Sequence, residues 1–199
     1  MEQTTYPGHL ILIVSVPGGG KSTLIQHLRE VYPQLTFAVS CTSRAPRPGE
    51  VAGENYYFLS DAEFERRIEA GDFLEWIQQD GGRYYGTLRS EIIDRLAEGE
   101  IVVREVEVRG VRAIRELVPA DALTVVFITA GSWEDMRQRI QDRAPITEEE
   151  LEYRRVRYEQ EIQFATEADL VIENRNGALD EARQKLIDAV DDIITSNNN

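Results

Sequence analysis

The sequence is poor in the residues that hold together small secreted or metal-stabilised proteins. Cys41 is its single cysteine, so no intramolecular disulfide can form. Its two histidines, His9 and His27, have no second cysteine or carboxylate at the spacing of a metal site. We therefore expect neither a disulfide framework nor a structural metal.

Long apolar runs are also lacking. No stretch approaches the roughly 20 apolar residues that span a bilayer. The N-terminus has no basic region followed by an apolar segment and a cleavage site. The net charge of -14 repels other polyanions. These absences predict a cytoplasmic protein with no membrane and no nucleic-acid partner, and they leave its oligomeric state open.

Lysine is scarce. Among the 22 basic residues, only Lys21 and Lys185 are lysines. Lys21 lies in the glycine-rich stretch VPGGGKST, residues 16–23, between an apolar run and a helical pattern. Its rarity and its position favour a specific role over surface charge.

Short apolar runs alternate with helical patterns along the 199 residues, a length that suits one domain. The apolar runs are 10–15, 37–40, 101–108 and 123–129, and the helical patterns are 22–31, 111–117 and 133–143. This alternation predicts an α/β fold with a parallel sheet covered by helices on both faces.

Three other regions have patterns of their own. Residues 40–90 combine prolines and glycines with short aromatic runs, which predicts a small β-rich insertion. Residues 147–165 predict a charged helix that begins with a capping box at Thr147. Residues 180–194 predict an amphipathic helix that packs on the sheet.

The glycine-rich stretch matches the second half of the P-loop pattern G-x-x-x-x-G-K-[ST] between a strand and a helix. In this pattern the loop amides and the helix N-terminus point at phosphates. Lys21 would bridge the β- and γ-phosphates of ATP, and the Ser22 hydroxyl would ligate Mg²⁺. A plain glycine-rich turn is the alternative. The predicted ATP-binding residues here are Pro17, Gly18, Gly19, Gly20, Lys21, Ser22 and Thr23.

Ser15 occupies the position of the first glycine of that pattern. If this position needs a positive φ, a serine is strained there by about 1–3 kcal/mol. We therefore expect Ser15→Gly to raise catalytic efficiency with ATP.

Residues 40–58, the acceptor segment, read SCTSRAPRPGEVAGENYYF. Pro46 and Pro48 favour an extended backbone that keeps Arg44 and Arg47 close together. Two guanidinium groups beside the phenol of Tyr56 suit a phosphate dianion. A solvated polar loop is the alternative that composition alone would favour.

From about His9 to the final helix, the sequence resembles the guanylate kinase family. The acceptor segment has every fixed position of the signature S-x-T-[TS]-R-x-P-R-x-G-E-x-x-G-x-x-Y-x-F, a far more specific match than the phosphate loop. Further similar segments are FLEW at 73–76, YYGT at 84–87, EVEVRG at 105–110, RIQDR at 139–143 and VIEN at 171–174.

The resemblance implies ATP-dependent phosphorylation of GMP to GDP by in-line transfer with Mg²⁺, and leaves dGMP open as a second acceptor. The residues it implies for the GMP phosphate are Ser40, Arg44, Arg47, Tyr56 and Tyr85, and those for the guanine edge are Glu75, Thr87 and Glu107. Glu105 is placed beside GMP and, through water, at Mg²⁺. A carboxylate and a hydroxyl also match the donors and acceptor of guanine independently.

The resemblance also implies a P-loop NTPase type of core with two moving parts. The core is 8–39, 91–135 and 166–195, the GMP-binding part is 40–90, and the lid is 136–165. Arg139, Arg143 and Arg154 would stabilise the transferring phosphoryl group together with Lys21 and Arg44. Asn174 resembles a residue near the adenine ring of ATP.

The sequence departs from the family at the phosphate loop, at Arg109 in place of a glutamine, and at Ala144-Pro145-Ile146 in place of G-T-E. Two alternatives therefore stay open. One is a guanylate-kinase-like interaction module, a class that tends to lose the lysine and lid arginines. The other is a nucleoside monophosphate kinase whose base preference Arg109 has shifted.

Overall fold

The computed structural model describes residues 5–79, 81–143 and 145–197, with the backbone alone at Arg143. The elements in these ranges are β1 His9–Ser15, α1 Lys21–Val31, β2 Thr36–Phe37, β3 Ser40–Thr42, β4 Tyr56–Phe58, α2 Asp61–Glu69, β5 Phe73–Gln78, β6 Tyr84–Leu88, α3 Ile93–Ala97, β7 Ile101–Glu105, α4 Val108–Arg115, β8 Leu123–Thr129, α5 Trp133–Arg143, α6 Glu148–Glu161, β9 Leu170–Glu173 and α7 Leu179–Asn197.

The main sheet is parallel, with the strand order β2-β7-β1-β8-β9. β1 lies at its centre and is buried on both faces. Leu10 and Leu12 belong to the core under α4, α5 and α6, whereas Ile11 and Ile13 belong to the core under α1 and α7. Burial on both faces explains why β1 is a continuous apolar run. The predicted fold class is confirmed.

A second sheet, in the order β4-β3-β6-β5, is built from residues between 40 and 88. Phe64 of α2 stacks on Phe73 at a centroid distance of 4.3 Å and on Tyr84 at 5.1 Å. Cys41 completes this small core. At Gly86, a Cβ would lie 2.8 Å from the Glu75 carbonyl oxygen, so only glycine lets β5 and β6 approach this closely.

The predicted single strand at 37–40 is wrong. The chain leaves the main sheet after Phe37 and enters the second sheet at Ser40. Between the sheets, the Ala38 amide donates to the Val103 carbonyl and the Val39 amide donates to the Glu91 carboxylate. Because these partners are distant in sequence, an apolar run could not indicate the crossing.

The predicted strand at 101–108 is too long. β7 ends at Glu105, and α4 begins at Val108 with Glu107 as its N-cap residue. A short apolar run does not distinguish the end of a strand from the start of a buried helix.

The charged helix at 147–165 is confirmed in its first part. The Thr147 hydroxyl accepts from the Glu150 amide at 3.2 Å, which is one half of a capping box, while the Glu150 carboxylate pairs with Arg154. α6 ends at Glu161, and Ile162–Glu167 is a 3-10 helix. In the part of the chain that the structure describes, no helix has both the length and the apolarity that a membrane span needs.

Candidate nucleotide-binding site

A cleft of about 1740 Å³ lies at the carboxyl ends of β1 and β7, bounded by the second sheet and by α6. This is the edge at which open parallel sheets bind ligands. The predicted site residues that line it are Lys21, Ser22, Ser40, Tyr56, Glu75, Tyr85, Glu105 and Glu107. The folded chain therefore brings together side chains from both predicted subsites.

Two glycines with positive φ shape the phosphate loop. Gly18 has a φ of 80° and Gly20 a φ of 88°, the left-handed region in which glycine is unstrained. Gly20 is also the N-cap of α1 and supplies no side-chain cap to the first turn. The positive end of the helix therefore faces the loop, as an anion site requires.

The strain expected at Ser15 is absent. Ser15 is the last residue of β1 and pairs with Ile128 of β8. Among the described residues only glycines have a positive φ. The turn begins further along the chain than the pattern indicated, so a serine fits here in ordinary strand geometry.

The buried Asn174 side chain is hydrogen-bonded to the phosphate loop. Its amide Nδ2 donates to the Gly19 carbonyl at 2.9 Å, and its backbone amide donates to the Thr129 carbonyl at 2.7 Å. A Cβ on Gly20 would collide with this side-chain amide. Asn174 thus connects the end of β9 to the loop, and its placement near an adenine ring stays a prediction.

Lys21 and Glu105 form an ion pair in the cleft. The Lys21 ammonium lies 2.9 Å from the Glu105 carboxylate. β1 and β7 are neighbours, with Ile13 opposite Glu105. The phosphate loop that follows β1 leads into Lys21 at the start of α1, which brings the lysine to Glu105 at the end of β7. Ser22, next to Lys21 in the first turn of α1, also lines the cleft.

Arg44 is held by the acceptor segment itself. Its guanidinium donates to both oxygens of the Glu50 carboxylate, at 2.7 and 2.6 Å, and lies 5.0 Å from the centroid of the Tyr56 ring. The hydrogen bonds from Arg44, with a further one from the Arg47 amide, lower the pKa of Glu50 to about 2. The hydrogen bonds to Glu50 likewise raise the pKa of Arg44. The Arg47 side chain is exposed.

Two phenols line the cleft near Arg44. The rings of Tyr56 and Tyr85 meet edge to face at 6.2 Å. Burial raises the pKa of Tyr56, so its hydroxyl keeps its proton at neutral pH. Ser40 at the start of β3 lies in the same part of the cleft.

Where β5 and β6 of the second sheet meet β7, Glu75, Thr87 and Arg104 form a hydrogen-bonded group, the Glu75–Thr87–Arg104 cluster. The Thr87 hydroxyl donates to Glu75 at 2.6 Å, and an Arg104 Nη donates to the same hydroxyl at 2.7 Å. Burial lowers the pKa of the Arg104 guanidinium, while Glu75 and Glu105 act in the opposite direction. An arginine stays charged under such shifts.

The predicted lid arginines have partners on the chain itself. Arg139 of α5 donates to the Asn176 side chain and to the Asn174 carbonyl. Arg154 of α6 pairs with Glu150 at 2.9 Å. The side chain of Arg143 and the residue Ala144 lie outside what the structure describes.

α6 faces the cleft with a different arginine. Tyr153, Val156 and Arg157 line the cleft, whereas the contact of Arg154 is the ion pair with Glu150. Tyr158 anchors this helix by donating its hydroxyl to the Gly131 carbonyl at 2.9 Å. Arg154 therefore needs a shift of its side chain or of the helix to reach a phosphate in the cleft.

Sequence reasoning assigned no role to Arg104 or Glu50. The signal for Arg104 was a charge inside the apolar strand that begins at Ile101, where an unpaired charge is costly. The signal for Glu50 was its fixed place in the acceptor segment, three residues after Arg47.

A parallel sheet, a phosphate loop at the start of α1 and a polar acceptor segment around one cleft define a nucleotide-binding α/β protein of the P-loop class. Comparison with known proteins narrows the class. The sequence profile described as Guanylate kinase matches residues 8–193. The chain belongs to the guanylate kinase family, as its acceptor segment indicated.

Curated relatives named guanylate kinase match this chain over most of their length. A guanylate kinase of Nostoc sp. is 42% identical over 173 residues, which is 87% of this chain and 85% of that protein. One from Rubrobacter xylanophilus is 38% identical over 187 residues, which is 94% of this chain and 95% of that protein. One from Salinibacter ruber is 35% identical over 191 residues, which is 96% of this chain and 100% of that protein.

Solved structures support the fold. The crystal structure of guanylate kinase from Anaplasma phagocytophilum has a TM-score of 0.67 at 23% identity, covering 92% of this chain and 85% of that one. A gluconokinase from Sinorhizobium meliloti has a TM-score of 0.51 at 20% identity, covering 97% and 99%. These similarities establish a shared α/β architecture.

Proposed function

We propose that this protein transfers the γ-phosphoryl group of ATP to GMP. The observation that carries the proposal is that Lys21, at the phosphate loop, and Glu75, on β5 of the second sheet, line the same cleft. Its volume of about 1740 Å³ exceeds the roughly 300–1,000 Å³ of single-ligand pockets. Two nucleotides therefore have room to meet in it.

On the ATP side, the amides of the phosphate loop and Lys21 hold the phosphates. Ser22 and Glu105 offer Mg²⁺ one hydroxyl and one carboxylate, which fits an ion that binds through few protein oxygens plus phosphate and water. Within the described residues, no three His, Cys, Asp or Glu side chains cluster as a metal site. When bound, Mg²⁺ would neutralise charge on the transferring phosphates.

On the acceptor side, Arg44 and Arg47 hold the GMP phosphate with the hydroxyls of Ser40, Tyr56 and Tyr85. Arg44 is pre-oriented by Glu50 and by the Tyr56 ring, so little side-chain entropy is lost when it binds. Glu50 accepts from only two of the five N–H groups of Arg44, so the guanidinium keeps donors for the phosphate.

Glu75 gives base selectivity. A carboxylate accepts from the N1–H and N2–H groups of guanine, whereas adenine offers it an acceptor at N1 and leaves the carboxylate unpaired. Glu107 at the N-terminus of α4 lines the cleft beside it. We assign these two carboxylates to the guanine edge.

Transfer needs positioning and charge stabilisation rather than a protein nucleophile. Lys21, Arg44, Arg139, Arg143 and Arg154 supply the positive charge in our proposal. The parts 40–90 and 136–165 close on the core to exclude water. Because both nucleotides are cytoplasmic metabolites, the proposal includes a cytoplasmic location.

The test is ADP formation from ATP and Mg²⁺ with GMP, dGMP, AMP, CMP or UMP as the separate acceptor. We expect turnover with the guanine nucleotides and at least about 100-fold less with the others, since unpaired buried polar groups reject wrong ligands strongly. Tight GMP binding without turnover would instead support an interaction module. Turnover with another base would support a shifted preference.

A further inference from the structure

Arg104 is a buried charge in the wall of the cleft. Only 9% of the residue is exposed, and it nevertheless lines the cleft between the apolar Val103 and the exposed Glu105. One Nη donates to Thr87, and it lies 4.0 Å from Glu75. Its Nε has no hydrogen-bond partner among the described residues. Burying a guanidinium with an unused donor is costly, which points to a purpose beyond packing.

The single proton of Thr87 is already used. A carboxylate only accepts, so in the 2.6 Å bond to Glu75 the threonine hydroxyl is the donor. Its oxygen meanwhile accepts from Arg104 at 2.7 Å. Thr87 is fully buried and does not reach the cleft surface. In this arrangement Thr87 presents neither a free proton nor an exposed hydroxyl to the cleft.

The donors on this wall therefore belong to Arg104. Guanine presents two adjacent acceptors, O6 and N7, on the edge next to its N1–H donor, and an arginine fork is the side chain that matches them best. Glu75, 4.0 Å from the same guanidinium, matches the neighbouring N1–H and N2–H donors. A cation and a carboxylate side by side thus complement the acceptor and donor edges of one base.

We propose that Arg104 is a specificity-determining residue that donates to O6 of the guanine acceptor, with Thr87 as the positioning residue behind it. This inference rests on the proposed function, since it requires GMP in the cleft. Adenine carries an amino donor at the position of O6, so Arg104 repels it while Glu75 loses its donors. Arg104 and Glu75 would then each lower the affinity for adenine.

The experiment compares two ligands that differ at the contacted atom. 6-Thio-GMP keeps the N1–H and N2 groups of GMP and replaces O6 by sulfur, a weak acceptor. Dissociation constants of both nucleotides are measured by calorimetry for the wild type, Arg104→Leu and Thr87→Val. IMP lacks the N2 amine but keeps O6, so it reports on the carboxylates Glu75 and Glu107 rather than on Arg104.

We expect the wild type to prefer GMP over 6-thio-GMP by roughly 10- to 100-fold, the value of a hydrogen bond from a charged donor. In Arg104→Leu this preference falls to within about twofold, while the preference for GMP over IMP persists. Thr87→Val removes the oxygen that orients the Arg104 Nη, so the GMP to 6-thio-GMP ratio falls partway toward that of Arg104→Leu, while the GMP to IMP ratio persists.

Three outcomes overturn the proposal. The GMP to 6-thio-GMP ratio persists in Arg104→Leu, which makes Arg104 a counter-ion only. The GMP to 6-thio-GMP ratio and the GMP to IMP ratio both collapse in Arg104→Leu, which means that Arg104 supports the whole cleft wall rather than contacting O6. The first ratio collapses in Thr87→Val and survives in Arg104→Leu, which assigns O6 to the threonine.

A crystal structure of the wild type with GMP tests the same contact without a variant. An Arg104 nitrogen within about 3.2 Å of O6 supports the proposal, and a separation beyond hydrogen-bond reach overturns it. Failure of the proposed function is seen separately, as a wild type that neither binds GMP nor forms ADP with it.

Discussion

The Lys21 ammonium lies 2.9 Å from the Glu105 carboxylate, at the point where the phosphate loop meets the end of β7. The pair joins a residue of the first helix to a strand more than eighty positions later. This ion pair keeps the Lys21 side chain extended over the cleft. A triphosphate that binds the phosphate loop would compete with Glu105 for the Lys21 ammonium.

Lys21→Met should abolish most ATP turnover. Lys21 directly follows the glycines of the phosphate loop, and removing one electrostatic stabiliser of a transition state typically costs about 10²–10³ in kcat. Steady-state ADP formation with GMP measures this. Lys185→Met is the matched control, because Lys185 is exposed on α7 and is the other lysine of the chain. Equal activity of the two variants would remove Lys21 from the mechanism.

Glu50→Gln should lower stability in a pH-dependent way. Hydrogen bonds from Arg44 lower the pKa of Glu50 from 4.5 to about 2, so the pair stabilises the folded chain fully above about pH 4.5. That contribution is lost as the pH falls through about 2, because the carboxyl is then protonated in both states. The difference in free energy of unfolding between wild type and Glu50→Gln should therefore be constant above pH 5 and shrink below it.

Urea unfolding at a series of pH values from 7 to 2.5 measures that difference. Glu54→Gln is the control, since this carboxylate lies in the same segment and the described structure gives it no bidentate arginine. A Glu50→Gln difference that stays unchanged down to pH 2.5 would contradict the depressed pKa.

Ser15→Gly should not raise catalytic efficiency with ATP, contrary to the expectation from sequence. Ser15 ends a central strand without a positive φ, so glycine relieves no strain there. It costs about 0.5–1 kcal/mol of stability through added chain entropy. Gly20→Ala is the contrasting variant, since its φ of 88° and the Asn174 amide both oppose a Cβ.

For Gly20→Ala we expect lower stability and lower kcat/KM for ATP together. Thermal unfolding and steady-state kinetics on both variants decide the question. A gain in kcat/KM for Ser15→Gly would show that the loop needs a glycine one position before the turn that the structure describes.

Cys41 should react slowly with thiol reagents in the folded protein. It lies in the core with Phe64 and Phe73, and burial raises the pKa of its thiol to about 11. Two pKa units above the usual value mean about 100-fold less thiolate at pH 7, before access is considered. Labelling with an aromatic disulfide in buffer and in urea should differ by at least this factor. Rapid labelling of the folded chain would contradict its burial.

The fold class was predictable because its signals are local. A strand such as β1, buried on both faces, must be a continuous apolar run, and helices that cover a sheet must have an apolar stripe. The capping residue Thr147 and the glycines of the phosphate loop act over three or four residues, so they too can be recognised in the sequence. Where a decision depended on a distant partner, as for Val39 and Glu91, the prediction failed.

The same distinction between local signals and distant partners applies to the candidate site. The sequence by itself determined which residue types are present: a phosphate loop with Lys21, two arginines held by prolines, and a carboxylate at Glu75. Only the tertiary structure decided that Glu105 meets Lys21, that Glu50 occupies Arg44, and that Arg104 is buried against Thr87. A buried charge persists only where the fold supplies its partners. Arg104 of β7 in the main sheet meets Thr87 of β6 in the second sheet, a contact that only the packing of the two sheets creates.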